Sequence, residues 1–211
     1  MRLNLKTTLL GLLGLLVALI IGQGWLALQS LHEINENVKN EATNWVPSID
    51  RVNKINTGTS DLRIEEAAHI LSTTPEEMQR AESEIARILQ TLNEDRQVYE
   101  KLISSDEERA LYDRFAAEFD AYMAEHHRMI DLSRKNQNAE ATDLFKGEMK
   151  RLFIAYSGFL SQDVALNNAG AAADYAKSVE RFSQTRLTVL AAVILSTLIS
   201  LVAMLFAVFG V

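Results

Sequence analysis

Two uncharged apolar runs constrain this chain more than any other feature: residues 7–28 (TTLLGLLGLLVALIIGQGWLAL) and residues 187–211 (LTVLAAVILSTLISLVAMLFAVFGV). A helix needs roughly 20 apolar residues to cross ~30 Å of hydrocarbon, and each run is long enough. The 158 residues between them, 29–186, are polar and rich in helix formers. Two spans place both ends of that segment at one membrane face. The expected organisation is a cytoplasmic N-terminus at 1–6, spans at 7–28 and 187–211, and one folded domain at 29–186. A signal peptide is the other reading of the first run. Its apolar length exceeds the ~7–15 residues of a signal h-region, and no small-x-small cleavage site follows. Trp25 sits where an interfacial aromatic anchors a span. Arg2 and Lys6 precede the run and nothing basic follows until Lys39, which places the N-terminus in the cytoplasm and the domain outside. Arg181 and Arg186 lie on the wrong side for that rule.

Of the chain's 21 basic residues only Arg2 and Lys6 lie outside the middle segment, so 19 stand against all 28 acidic residues there, a net charge of −9. Such an acidic segment argues against binding nucleic acid and against lying flat on anionic lipid. The chain has no cysteine, so disulfide and thiolate chemistry are excluded.

The middle segment reads as four helices. Leu28, Leu31, Ile34, Val38, Trp45, Ile49, Val52, Ile55, Leu62, Ala67 and Ile70 recur in threes and fours, an inward stripe of one long helix. Pro47 lies inside it, and because the periodicity resumes at once a kink is expected rather than an end. Thr74, Pro75 and Glu77 suit N-cap, N1 and N3 of a second helix, a capping box. Met78, Ile85, Leu89, Leu92, Tyr99 and Leu102 form its stripe. Ser105 followed by Glu108 reads as a second capping box, opening a third helix with Leu111, Phe115, Phe119, Tyr122, Met129 and Leu132 inward. Asn136-Gln137-Asn138 is the last turn, with Asn138 as N-cap of a fourth helix. That helix carries Leu144, Phe145, Met149, Leu152, Tyr156, Phe159, Leu160, Val164 and Asn167, and runs unbroken into the second apolar run. At 1.5 Å per residue the middle helices are about 45 Å long and the outer two about 65–70 Å. The fold class is therefore all-α: an antiparallel up-down-up-down four-helix bundle flanked by two transmembrane helices.

Several stretches carry a family resemblance. They are Asp61-Leu62-Arg63, the run from Tyr99 to Phe115 across the second turn, Tyr122 beyond it, Asn136 to Ala141, and Asn167-Asn168-Ala169. With the two spans, they resemble the periplasmic sensor module of bacterial methyl-accepting chemotaxis receptors. The resemblance covers nearly the whole chain, although its motifs are diffuse. It implies a homodimer in the bacterial inner membrane, bundle in the periplasm, that binds a small organic or amino acid near the membrane-distal ends of its first and fourth helices. Sensor kinases and cyclases share this module, and a bundle that recognises a partner or periplasmic binding protein is a further alternative. Receptors of the family continue into a HAMP linker and cytoplasmic signalling domains, so a chain stopping at Val211 reads as a receptor fragment. No enzymatic constellation, cofactor motif or metal motif is present.

Arg63 is the first candidate ligand residue, because related receptors use arginines at this height for a ligand carboxylate, which a guanidinium fork suits. Its bland reading is a surface partner of Asp61 or Glu66. Lys150 and Arg151 sit at a similar height on the fourth helix, or else simply balance Glu148. Thr142 and Tyr156 are polar lining candidates. Tyr99 and Tyr122 read as packing or as hydroxyls capping a pocket. His126-His127 point about 100° apart and cannot readily share a metal, so a solvent-facing pair is expected. Asn167-Asn168 read as a register- or dimer-specifying polar spot. Gln23, Ser196, Thr197 and Ser200 are expected at helix–helix contacts within the membrane.

Overall fold

The computed structural model describes residues 5–209; Arg2 of the basic N-terminus and the last two residues of the second apolar run lie outside them. The elements are α1 (Leu5–Asn40), a π-helical segment (Glu41–Trp45), α2 (Val46–Leu71), α3 (Pro75–Tyr99), α4 (Asp106–Arg134), α5 (Asn138–Lys146) and α6 (Glu148–Phe209). The all-α four-helix architecture expected from periodicity holds. Two of the helices, α1 and α6, are long and apolar enough to cross a membrane. The chain divides into two compact units. One is formed by the described residues of Met1–Asn40 and Ala172–Val211, the other by Glu41–Ala171.

Within Glu41–Ala171 the helix ends are set by local chemistry. Thr74 accepts from the Glu77 amide while the Glu77 carboxylate reaches back to the Thr74 amide, with Pro75 at N1, which completes the expected capping box. Ser105 caps α4 through the Glu108 amide. The reciprocal half is not made: the Glu108 carboxylate takes the amide of Ser104 at 2.7 Å and turns into the core. Asn136 closes α4 at φ 57 in a Schellman arrangement, with the Asn136 amide on the Ser133 carbonyl and the Gln137 amide on the Leu132 carbonyl. Asn138 is then the first residue of α5, not its cap; Gln137 holds the cap position without a side-chain bond. The fourth helix is also not continuous. It breaks at Gly147 (φ −92, ψ −104), where a Cβ would lie 2.8 Å from the Asp143 carbonyl oxygen.

Pro47 acts as expected in one respect, since helix continues on both sides of it. The accommodation is the π-helical turn before it, which suits a residue that has no amide to donate and whose ring crowds the carbonyl four positions back.

The core of this unit is one cluster. Val52, Ile55 and Leu62 of α2 meet Ile85, Ile88 and Leu92 of α3, Phe115, Phe119 and Met129 of α4, and Met149, Leu152 and Leu160 of α6. Tyr112 is the buried aromatic residue near the start of α4; Leu111, expected inward there, is half-buried.

In the unit containing α1 and the C-terminal part of α6, the inward stripe differs from the sequence reading. Leu28, Leu31 and Val38 are 67%, 64% and 60% exposed. The residues that join the helices are polar and recur in threes and fours. Asn40 donates to Asp174 at 3.0 Å, Asn37 to Ser178 at 2.8 Å, Arg181 pairs with Glu33 at 2.5 Å, and Ser30 bonds Thr185. Gln23 and Ser196 are half-buried, but Thr197 and Ser200 are exposed and bond their own helix four residues back.

Candidate functional site

The unit Glu41–Ala171 buries an unusual set of polar side chains in its core stripe. Glu66, His69, Glu108, His126, Asp163 and Asn167 are each at most 4% exposed. They fall at helical positions that should be apolar. Glu66 lies four after Leu62 and four before Ile70, and Asp163 lies three after Leu160. Buried charges are costly unless hydrogen-bonded, so each must have partners.

The first group surrounds Arg63. Its guanidinium lies 4.0 Å over the Phe145 ring and 5.0 Å from that of Phe153, and Nη2 donates to the Phe145 carbonyl at 3.4 Å. Nη1 is buried without an acceptor. One turn on, Glu66 is fully buried; it accepts the Tyr122 hydroxyl and lies 2.6 Å from His126 Nδ1. Burial, with the Glu66 charge, pushes the Tyr122 hydroxyl well above its ordinary range, which keeps it a donor. Tyr156 packs edge-on to Tyr122 and Phe153 at 5.4 Å. Its hydroxyl is buried beside Thr59 and is likewise pushed up by burial, with the Thr59 hydroxyl opposing the rise. Arg63 and Tyr156 are thus brought together. Arg63 is not a surface partner of Asp61 or Glu66; its flat faces are covered by aromatic rings.

The other candidates lie differently. Thr142 is half-buried on α5, and Lys150 is exposed on the first turn of α6. Arg151 is exposed and forks onto Glu148 at 2.7–3.1 Å, which raises its guanidinium and lowers the Glu148 carboxyl. His126 is buried on Glu66 and His127 is exposed, so the solvent-facing histidine pair is corrected in its first member. No cluster of three or more metal-ligating side chains occurs among the described residues.

A second group sits where the α3–α4 turn meets α6. The Tyr99 hydroxyl lies 2.9 Å from Glu108 Oε1 and 2.5 Å from Asp163 Oδ2. Asn167 Nδ2 lies 3.2 Å from the same Glu108 oxygen and 2.9 Å from Asp163 Oδ1. Asn168 is exposed, so the buried polar spot is Asn167 alone; its Nδ2 is engaged within the chain and its Oδ1 is buried without a partner. A third group clamps α2 to α3 and α4. His69, fully buried, bonds Ser133 at 2.9 Å and Glu82 at 3.0 Å, and Arg134 forks onto Glu82 at 2.7 and 2.8 Å. In the sequence Glu66 and Glu108 read only as a surface partner of Arg63 and a helix cap, and no motif marks His69 or Asp163 as buried. The one visible signal of all four is that they interrupt an apolar stripe in register.

Residues 2–182 match the family described as "Four helix bundle sensory module for signal transduction". A curated relative, the "Putative sensory transducer protein YvaQ" of Bacillus subtilis (strain 168), is 27% identical over 173 residues, which is 81% of this chain and 30% of that protein. The chain therefore spans under a third of the length of that relative.

Proposed function

This chain belongs to the four-helix-bundle sensory modules for signal transduction, and from that premise we propose that it is the sensor portion of a bacterial chemotaxis receptor that takes a small extracellular organic or amino acid. The supporting observation is the Arg63 guanidinium, stacked on the Phe145 and Phe153 rings, with Nη1 buried and unpaired close to the buried hydroxyl of Tyr156. A buried donor without an acceptor costs about 1–3 kcal/mol, more on a charged group, and a ligand carboxylate supplies the acceptor. Thr142, Lys150 and Arg151 belong to the same end of the bundle and hold the rest of the ligand in this reading. Residues 7–28 and 187–211 are the spans, with the N-terminus in the cytoplasm and the bundle on the outer, periplasmic side. The chain functions as a homodimer. Leu31 and Val38, and Tyr175 and Phe182, stay exposed at heptad spacing while polar residues join α1 to α6 within one chain, which suits an apolar seam between copies. Signal passes by a shift of α6, sized by the ligand's differential affinity for two bundle states. HAMP and signalling domains follow in the whole receptor.

The test is a thermal-shift screen of the full chain in detergent micelles against organic, amino and aromatic acids, with Arg63→Ala alongside. A compound that raises the melting temperature of the wild type and not of the variant supports direct sensing at Arg63. Equal shifts in both move the site elsewhere. If no class binds, the partner-protein reading takes its place.

A further inference from the structure

The group at the α3–α4 turn contains more acceptors than its own hydrogens can serve. Tyr99, Glu108, Asp163 and Asn167 are each at most 1% exposed. The Tyr99 oxygen stands between two carboxylate oxygens, 2.9 Å from Glu108 and 2.5 Å from Asp163, yet a phenol carries one hydrogen. With both acids ionised, one of these close oxygen–oxygen contacts has no hydrogen in it and joins an anion to a lone pair. One additional proton completes the row. The remaining bonds say where it sits. Glu108 is served by the Ser104 amide at 2.7 Å, the Ser104 hydroxyl at 3.3 Å and Asn167, the surroundings of an ionised carboxylate. Asp163 Oδ2 faces only the tyrosine. A proton on Asp163 Oδ2 would let that carboxyl donate to Tyr99 Oη and leave the Tyr99 hydrogen for Glu108 Oε1.

We propose that this row binds one labile proton inside the folded bundle, on Asp163, and that its release toward neutral pH loosens the attachment of α6 to α3 and α4. Release leaves two buried carboxylates competing for a single phenolic hydrogen, with Asp163 and Asn167 on α6, Tyr99 on α3 and Glu108 on α4. Burial, aided by the Glu108 charge and opposed by the Tyr99 and Asn167 hydrogen bonds, pushes the Asp163 carboxyl up to about 6. Tyr99 is pushed far above its ordinary range, first by burial and then by the two acids, so it does not supply the proton that leaves.

The neighbouring ionisable groups are engaged elsewhere. Arg51 of α2 pairs with Asp95 of α3 at 2.5 Å. Arg96 of α3 donates to the Tyr112 hydroxyl of α4 at 3.2 Å, and Tyr112 donates to Glu100 at 2.6 Å. Arg109 of α4 donates to the Glu100 carbonyl at 3.3 Å. Among the described residues, no ion pair reaches Glu108 or Asp163.

Infrared difference spectroscopy of the full chain in detergent micelles, titrated from about pH 4.5 to about pH 8, reads the proton directly. The expected result is a protonated-carboxyl band that disappears with a midpoint near pH 6 and is missing in Asp163→Asn. Glu108→Gln removes the neighbouring charge, so its midpoint moves to lower pH; this holds even if Asp163→Asn fails to fold. A band that persists in Asp163→Asn overturns the assignment. So does a wild type with no titrating carboxyl above the ordinary carboxylate range, or a midpoint unmoved in Glu108→Gln.

Discussion

Individual acidic side chains give this bundle a two-sided dependence on pH. Glu82 is held down to about 2 by the Arg134 fork, against burial, with His69 adding to the fall. A folded value below the unfolded one means that the unfolded state binds more protons. The stabilisation is present above about pH 4.5 and is lost as pH falls toward 2. Glu82 is partly solvated, so about 1 kcal/mol is the expected size after screening, and Glu82→Gln should flatten the acid limb of a melting-temperature profile. Asp163 acts in the opposite sense. Its folded value lies above the unfolded 3.8, so the native state binds more protons, and stability falls as pH rises from about 4 through about 6. The wild-type melting temperature should therefore peak on the acid side of neutral, and Asp163→Asn should remove the decline above the peak. At the Arg63 end, Tyr122→Phe deletes a donor to a fully buried carboxylate; we expect a loss of about 1–3 kcal/mol in denaturant titrations.

At the scale of the element, two glycines do work that no other residue could. Gly170 lets α6 approach the Trp45 indole of the π-helical segment: a Cβ there would lie 2.7 Å from ring carbons Cζ2 and Cζ3. An indole cannot shrink, so Gly170→Ala should cost about 1–3 kcal/mol through overpacking even though alanine is the better helix former. Gly147 separates α5 from α6, and its missing Cβ leaves room for a backbone carbonyl that cannot rotate away. The capping box of α3 is the simpler case. Thr74→Ala should cost about 1 kcal/mol, read as a lowered midpoint with unchanged slope in urea.

For the whole molecule, the absence of cysteine from these 211 residues makes topology and assembly open to direct measurement, because a thiol introduced here is the only one in this chain. Cysteine at Asp61, exposed on α2, should react with a membrane-impermeant maleimide in intact cells if the bundle lies outside. Labelling only after lysis would reverse the orientation. Val38→Cys and Phe182→Cys, on the exposed apolar spacing, should each form a disulfide-linked dimer under mild oxidation. Asp61→Cys should not, and equal cross-linking at all three positions would mean collision rather than a seam.

Much of this architecture was legible in the chain itself. Uncharged runs, 3.6-residue periodicity and the Thr74-Pro75-x-Glu77 cap depend on local spacing, and local spacing alone decides helix number, turn position and span-length segments. The break at Gly147 and the π-helical turn before Pro47 were not legible, because a glycine within a helical pattern and a proline within a stripe each permit several backbone outcomes. Nor could spacing say that Ser30, Glu33, Asn37 and Asn40 face α6 while Leu31 and Val38 face outward. Two stripes of equal period lie on opposite sides of α1, and only the partner helix selects one. The buried acids show the same limit most clearly. Glu66, Glu108 and Asp163 look like solvated charges in the sequence; they are stable in a core only because helices distant in the chain bring Tyr122 and His126 to Glu66, Tyr99 to Asp163, and Tyr99 and Asn167 to Glu108. Periodicity determines which way a side chain points along its own helix. What it meets there, and hence its charge state, is decided by the packing of the other helices.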